Sequence, residues 1–223
     1  MPSEPATAEA GAGREGISAT DGRLPGTRGR ATRRRLLECT AKLLDTTPWR
    51  SIRVIDIARE AGTSPATFYQ YFENVEQAIL LLAEELMSGA ERVAELVDGD
   101  WSQGASWETA CRVVDGFAAF WESNRAVFRV VELTTEEGDR RFQGPRVRAL
   151  NAVTVALARA IESNAEPGGD GSDPMASAAS LMSMLAHVCA HRYGFEFWGI
   201  RTASMTDSQA RILHRTVTGR AVP

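Results

Sequence analysis

Residues 52–72 read IRVIDIAREAGTSPATFYQYF, and their reading decides the fold. Val54, Ile57, Ala58 and Ala61 recur at helical spacing, which predicts a short amphipathic helix with Ser51 as its N-cap. Gly62 stands where the chain must turn sharply. Ser64 supplies an N-cap and Pro65 a first helical residue, two start signals for a second short helix. Phe68 and Phe72, four apart, share one face of it. Two short helices joined by a tight turn form a helix-turn-helix, whose second helix lies in the major groove of DNA. Small groups at Ala58, Ala61 and Gly62 let the helices cross closely, and Val54, Ile57 and Phe68 form the apolar wedge that holds the angle. The outward face of the second helix then carries Thr63, Ser64, Ala66, Thr67, Tyr69, Gln70 and Tyr71. These short polar or aromatic groups suit phosphates and base edges.

Charge supports the same reading. The net charge of −4 argues against nucleic acid until its distribution is read. From Arg23 to Glu60 ten basic residues face four acidic ones, so this segment carries +6 and the remainder −10. A basic end on an acidic body is the electrostatic footprint of a DNA-binding head.

Around the turn the residues resemble the TetR family of regulators. The family's first helix begins T-R-x-x-I/L, met here as Thr32-Arg33-Arg34-Arg35-Leu36. Its central block appears as Val54-Ile55-Asp56-Ile57-Ala58, then Ala61-Gly62-Thr63-Ser64, then Thr67-Phe68-Tyr69-Gln70-Tyr71-Phe72. The match spans roughly residues 30–85; beyond residue 90 the likeness is one of architecture. The resemblance implies a homodimer, three helices in the DNA head, and a fourth leading into a bundle that holds an inducer pocket. It implies that Arg53 meets a phosphate or a base, that Thr63, Ser64, Ala66, Thr67, Tyr69, Gln70 and Tyr71 face DNA, and that Phe68 and Phe72 are core. One departure stands out. The family's phosphate-contacting lysine after the aromatic block is replaced by Val75, with Glu73 and Glu76 beside it. The arginines from Arg28 to Arg35 offer compensation, as an arm reaching a minor groove or as a solvated tail.

The rest of the chain reads as helix after helix, which makes the expected fold class all-α. A first helix is expected over Ala31–Asp45, ended by Pro48. Asn74 with Gln77 caps a fourth helix reaching Asp98. Further helices are expected over Ser106–Glu122, Arg125–Glu136 and Arg146–Glu162. After a linker at Ala165–Asp173, Asp173 and Pro174 open a helix that reaches Trp198. Thr206 and Gln209 signal a last helix that Gly219 closes. The expected domains are a disordered tail over residues 1–27, a helix-turn-helix DNA-binding domain over 28–74, and a helical ligand-binding and dimerisation domain over 75–223. The tail is poor in large apolar side chains and has no signal-peptide core, and no apolar run reaches bilayer length. A cytoplasmic protein without a membrane partner is expected.

Within the bundle, Phe117, Phe120, Trp121, Phe128, Met182, Leu185 and Trp198 are the candidate lining of an apolar effector pocket. Aromatic bulk with flexible methionine suits either a core or an adaptable site. Arg125, Arg129 and Arg146 can anchor an acid or form surface ion pairs. His187 and His191 have metal-ligand spacing but lack a third ligand at fitting distance, so no metal site is expected. No catalytic order of side chains, phosphate loop or cofactor fingerprint is present, so neither an enzyme nor a cofactor is expected. The expected function is a ligand-responsive regulator, a repressor released from operator DNA by a small hydrophobic effector. The alternative is a helical ligand-binding or metal-dependent protein that does not act on DNA.

Overall fold

The computed structural model describes residues 26–165 and 172–222. The expected tail over residues 1–27 lies outside the described residues except for its last two, and so does most of the Ala165–Asp173 linker. Among the described residues every regular element is helical.

The chain opens with α1 (Thr27–Thr46), which buries Leu36, Leu37, Thr40 and Leu44 on one face. It starts one turn before the expected Ala31. The segment Thr27–Ala31 has no apolar periodicity to reveal it, and Thr32 Oγ1 donates to the Arg28 carbonyl at 3.0 Å. A 3-10 turn at Trp49–Ser51 follows. Ser51 belongs to that turn, its N–H donating to the Pro48 carbonyl at 2.8 Å, and therefore does not cap the next helix. The cap of α2 (Val54–Glu60) is Arg53, whose N–H donates to Asp56. The reading of α3 (Pro65–Tyr69) holds: Ser64 Oγ accepts from the Thr67 N–H at 3.2 Å, and Gly62 turns the chain at φ 65°.

Asn74 caps α4 (Val75–Val97), accepting from the Gln77 N–H at 2.8 Å, and Gln77 Oε1 accepts in return from the Glu73 N–H at 2.6 Å. The bundle continues with α5 (Ser106–Ser123), α6 (Arg125–Glu136), α7 (Arg140–Asn164), α8 (Pro174–Ala190), α9 (Arg192–Phe197) and α10 (Thr202–Thr218).

In the bundle, the bounds of α7, α8 and α10 differ from expectation. Helix α7 begins at Arg140 rather than Arg146, because Asp139 caps it and the helix runs through Pro145. A proline there forfeits the bond to one carbonyl, and burial of its ring offsets part of that loss. Helix α8 stops at Ala190, well short of Trp198, where His191 leaves helical geometry at φ −113°. Helix α10 starts at Thr202, four residues before Thr206, whose hydroxyl bonds inside the helix to the Thr202 carbonyl at 3.0 Å. Gly219 ends α10 at φ 66°, as read.

Helix α4 packs along α7 and α5, α7 supports α8, and α10 closes over α5. One apolar core runs from Leu36, Ile57, Phe68 and Phe72 in the head through Leu82 and Leu86 of α4 to Phe117, Val131, Phe142 and Leu157. Gly89 of α4 permits this closeness, since a Cβ there would lie 2.5 Å from the Phe120 ring.

Candidate nucleic-acid interface

The head is held from behind. Phe68 and Phe72 are fully buried with ring centroids 5.2 Å apart, and Ile57, Ala58 and Ala61 pack at the same crossing. The Thr63 N–H donates to the Ala58 carbonyl at 2.9 Å and closes the turn. With one side of α3 committed to the core, the opposite side is turned outward. Ser64, Ala66, Tyr69 and Gln70 are exposed, and Thr63, Thr67 and Tyr71 are half-buried. Tyr69 is 53% exposed and its ring meets Phe68 edge-on at 5.8 Å, which fixes the ring without hiding it. Ser64 Oγ and Thr67 Oγ1 lie 3.0 Å apart. The seven candidate residues of α3 and its turn are thus all at least partly accessible, although Tyr71 also packs against the core.

Arg53 is exposed beside that surface, with Nε 3.0 Å and an Nη 3.3 Å from the Asp56 carboxylate. The Arg53 guanidinium holds the Asp56 carboxyl below the usual carboxylate range. The Arg53 side chain is 73% exposed, and a pair so open to water contributes little to stability. The arginines from Arg28 to Arg35 are helical, so they present charge from the surface of α1 rather than as an extended arm. Arg33 lies over the Phe72 ring at 5.7 Å, and Arg34 pairs with Glu38 at 2.8 Å.

The departure at residues 73–76 has a structural explanation. Val75 is the first residue of α4 and packs half-buried on the core. Glu76 accepts from Arg141 of α7 at 2.9 Å. Two further contacts join head to bundle: Arg50 with Glu137, and Arg129 of α6 donating to the Leu44 carbonyl at the end of α1. Nothing in the spacing of residues 73–76 signals these partners.

In the bundle, Phe117, Phe120, Trp121 and Phe128 do come together. Trp121 and Phe128 stack at 4.1 Å, Phe120 meets Phe128 edge-on at 5.5 Å, and Phe117 lies 6.0 Å from Trp121. All four are buried, as are Met182 and Leu185. Trp198 stands apart, 72% exposed after α9, its ring against Phe195. The aromatic cluster fills the interior. A groove of about 780 Å³ opens instead along α6, α7 and α8, with Leu150 and Met182 at its base and Glu136, Arg146, His187 and His191 among its polar lining. Sequence reasoning missed its α7 side, where Val147, Leu150, Asn151 and Thr154 carry no local signal. Arg146 lies 3.7 Å from Glu132, and Arg125 lies 3.8 Å from Glu122. The rings of His187 and His191 stack at 4.2 Å. Among the described residues no three metal-ligating side chains converge. Burial raises all three cysteine thiols, Cys189 to about 11, which keeps them protonated at neutral pH.

Two family matches cover most of this architecture. Residues 36–78 match the bacterial regulatory proteins of the tetR family, and residues 93–223 match the tetracyclin repressor-like C-terminal domain. The chain belongs to the TetR family. It is therefore a transcriptional regulator with a helix-turn-helix DNA-binding head. No curated protein sequence matches the chain. Among solved structures, the fatty acid degradation regulator FadR from Bacillus halodurans is 14% identical with a TM-score of 0.63, over 88% of this chain and 98% of that one. FadR from Bacillus subtilis, in complex with stearoyl-CoA, is 16% identical with a TM-score of 0.61, over 84% and 98%. PfmR from Thermus thermophilus, a TetR family regulator, is 20% identical with a TM-score of 0.55, over 82% and 97%. At these identities the likeness shows the fold. Among the described residues no helix is long and apolar enough to cross a membrane.

Proposed function

We propose that this TetR-family regulator is a cytoplasmic homodimeric repressor, released from operator DNA by a hydrophobic or amphipathic small molecule. The observation that carries the reading is the outward surface of α3. Thr67, Tyr69 and Gln70 stand on a short helix whose opposite side is locked by Phe68, and Arg53 flanks it with a surface ion pair. Side chains on a rigid helix can read base edges and grip phosphates with little ordering cost. Residues 28–74 form the DNA head in this reading, and residues 75–223 the effector-binding and dimerisation part.

The groove along α6–α8 supports the effector. It joins an apolar base to a polar lining, which suits an alkyl or acyl chain ending in a polar group. Two structural neighbours bind such molecules: FadR of Bacillus subtilis with stearoyl-CoA, and FadR of Thermus thermophilus with lauroyl-CoA. Met182 is the member of the expected pocket that reaches this groove. A ligand favouring the non-binding arrangement of the heads shifts the equilibrium away from DNA. For the dimer, the outer sides of α8 and α10 carry exposed Ala176, Ala179, Ser180, Ser208 and Ile212. Ala178 and Ala186 of α8 are buried inside the protomer.

A gel-shift titration against the DNA upstream of the coding sequence, at several salt concentrations, tests the reading. Binding should weaken steeply as salt rises, and lauroyl-CoA or a free fatty acid should release the DNA. Absence of binding at low salt would refute it.

A further inference from the structure

Helix α9 and the residue after it carry the most exposed large apolar side chains among the described residues. Phe197 is 87% exposed, Trp198 72% and Tyr193 65%. Tyr193 and Phe197, four apart, share one side of α9. Trp198 follows directly, its ring 6.0 Å from that of Phe195. The other side of α9 is committed to its own protomer, where Arg192, Phe195 and Glu196 line a small space bounded by α5 and α10. Arg192 lies 3.5 Å from Glu122 of α5 and 3.4 Å from Glu196, and Thr202 Oγ1 donates to Glu196 Oε1 at 2.7 Å. These contacts tether α9, so a surface that covers the aromatic groups meets them already placed.

At about 150–250 Å² for each aromatic side chain, the three leave on the order of 500 Å² in water. A monomer seldom leaves so much contiguous apolar surface uncovered. A stable dimer takes about 800 Å² from each partner. Ala176, Ala179, Ser180, Ser208 and Ile212, exposed on the outer sides of α8 and α10, add the remainder. Small side chains thus stand at the start of α8 and large ones just beyond its end. Two copies of α8 packed antiparallel about a two-fold axis bring the end of each helix to the start of the other, and the assembly closes at two.

We propose, on the homodimer reading above, that Tyr193, Phe197 and Trp198 are the anchors of the dimer and seat on Ala176, Ala179 and Ser180 of a second copy. Large aromatic side chains laid over small ones exclude water from both, and such anchors carry most of the energy of an interface. The complementary surface lies on the same chain, so a second copy is the occupant rather than a different protein.

Sedimentation of the fluorescently labelled full chain, from nanomolar to micromolar concentration, provides the test. The wild type should be a dimer. Phe197→Ser combined with Trp198→Ser should raise the dimer dissociation constant a hundredfold or more with an unchanged circular dichroism spectrum. Ile55→Ser, at an exposed apolar residue of the head, should leave the dimer intact. Disulfide trapping gives a second measurement that needs neither serine variant. A chain with both Ala176→Cys and Phe197→Cys should be trapped as a covalent dimer by diamide, and each single variant should not. Helix α8 has 17 residues and spans about 25 Å, too far for these two cysteines to bridge within one copy. Burial keeps the three native thiols protonated, which holds background cross-linking down. Unchanged affinity in the serine variant, or no trapping of the double cysteine variant, would overturn the proposal and leave the homodimer reading standing. A monomeric wild type would overturn both.

Discussion

Glu76 at the start of α4 accepts a hydrogen bond from Arg141 at the start of α7, at 2.9 Å. The acidic residue that stands close to the expected DNA path is thus tied to the bundle. Arg141 also binds Asp139, the cap of α7, so one guanidinium links the entry of the connecting helix to the entry of the long bundle helix. With Arg50–Glu137 and Arg129–Leu44, it forms a polar seam between the head and the bundle.

Cutting this link should change control more than stability. Arg141→Ala removes two surface pairs, with Glu76 and Asp139, and such pairs contribute about 0–1 kcal/mol each. The thermal midpoint should barely move and operator affinity should persist, while the effector concentration needed for DNA release should change several-fold. Fluorescence anisotropy of labelled operator with and without effector measures both. An unchanged release curve would show that the seam carries no signal.

The recognition surface should be separable from folding. Tyr69→Ala and Thr67→Ala should weaken operator binding, and Gln70→Ala should alter sequence preference by about 1–3 kcal/mol if it makes a good base contact. All three side chains lie on the outward surface of α3, so far-UV circular dichroism and melting should stay near wild type. Wild-type affinity in both Tyr69→Ala and Gln70→Ala would mean that DNA is read elsewhere.

Gly89→Ala should destabilise the bundle. The added methyl would sit 2.5 Å from the Phe120 ring, which is held by Phe117 and Phe128. Overpacking of this kind typically costs about 1–3 kcal/mol. Urea unfolding provides the measurement. The double variant Gly89→Ala, Phe120→Leu should recover part of the loss, and an unaltered midpoint in the single variant would contradict the packing described.

Acid should weaken the fold through His214. This residue is 2% exposed, its Nε2 lies 3.0 Å from Ser106 Oγ, and burial pushes its pKa below the ordinary histidine value. A depressed folded pKa favours the neutral ring. The contribution is therefore complete above the unfolded pKa of about 6.5 and is lost as pH falls through the folded value. Unfolding midpoints should drop between pH 7 and pH 5, and His214→Gln should flatten that part of the profile. An equally steep profile in the variant would assign the loss to other groups.

Much of the fold was legible in local signals. Ser64-Pro65, Asn74 with Gln77, Asp173-Pro174 and Gly219 each announce a helix end through groups only a few residues apart, and the structure places a helix boundary at each. Family-specific spacing around Gly62 is equally local, because a helix-turn-helix is built from neighbours in the chain. The same logic failed where a distant partner overruled the local rule. The expected helix opens only at Arg146, yet α7 begins at Arg140, capped by Asp139, and runs through Pro145, whose ring is buried. Glu76 reads as a charge near DNA until Arg141 supplies its partner. The aromatic residues of α5 and α6 read equally well as a pocket or a core, since period and composition record which face is apolar but not what fills the space beside it. Helix-to-helix packing decided that they interlock, that open volume lies along α6–α8 and under α9, and that Trp198 stands outside, because cavity shape depends on side chains brought together from positions far apart in the chain.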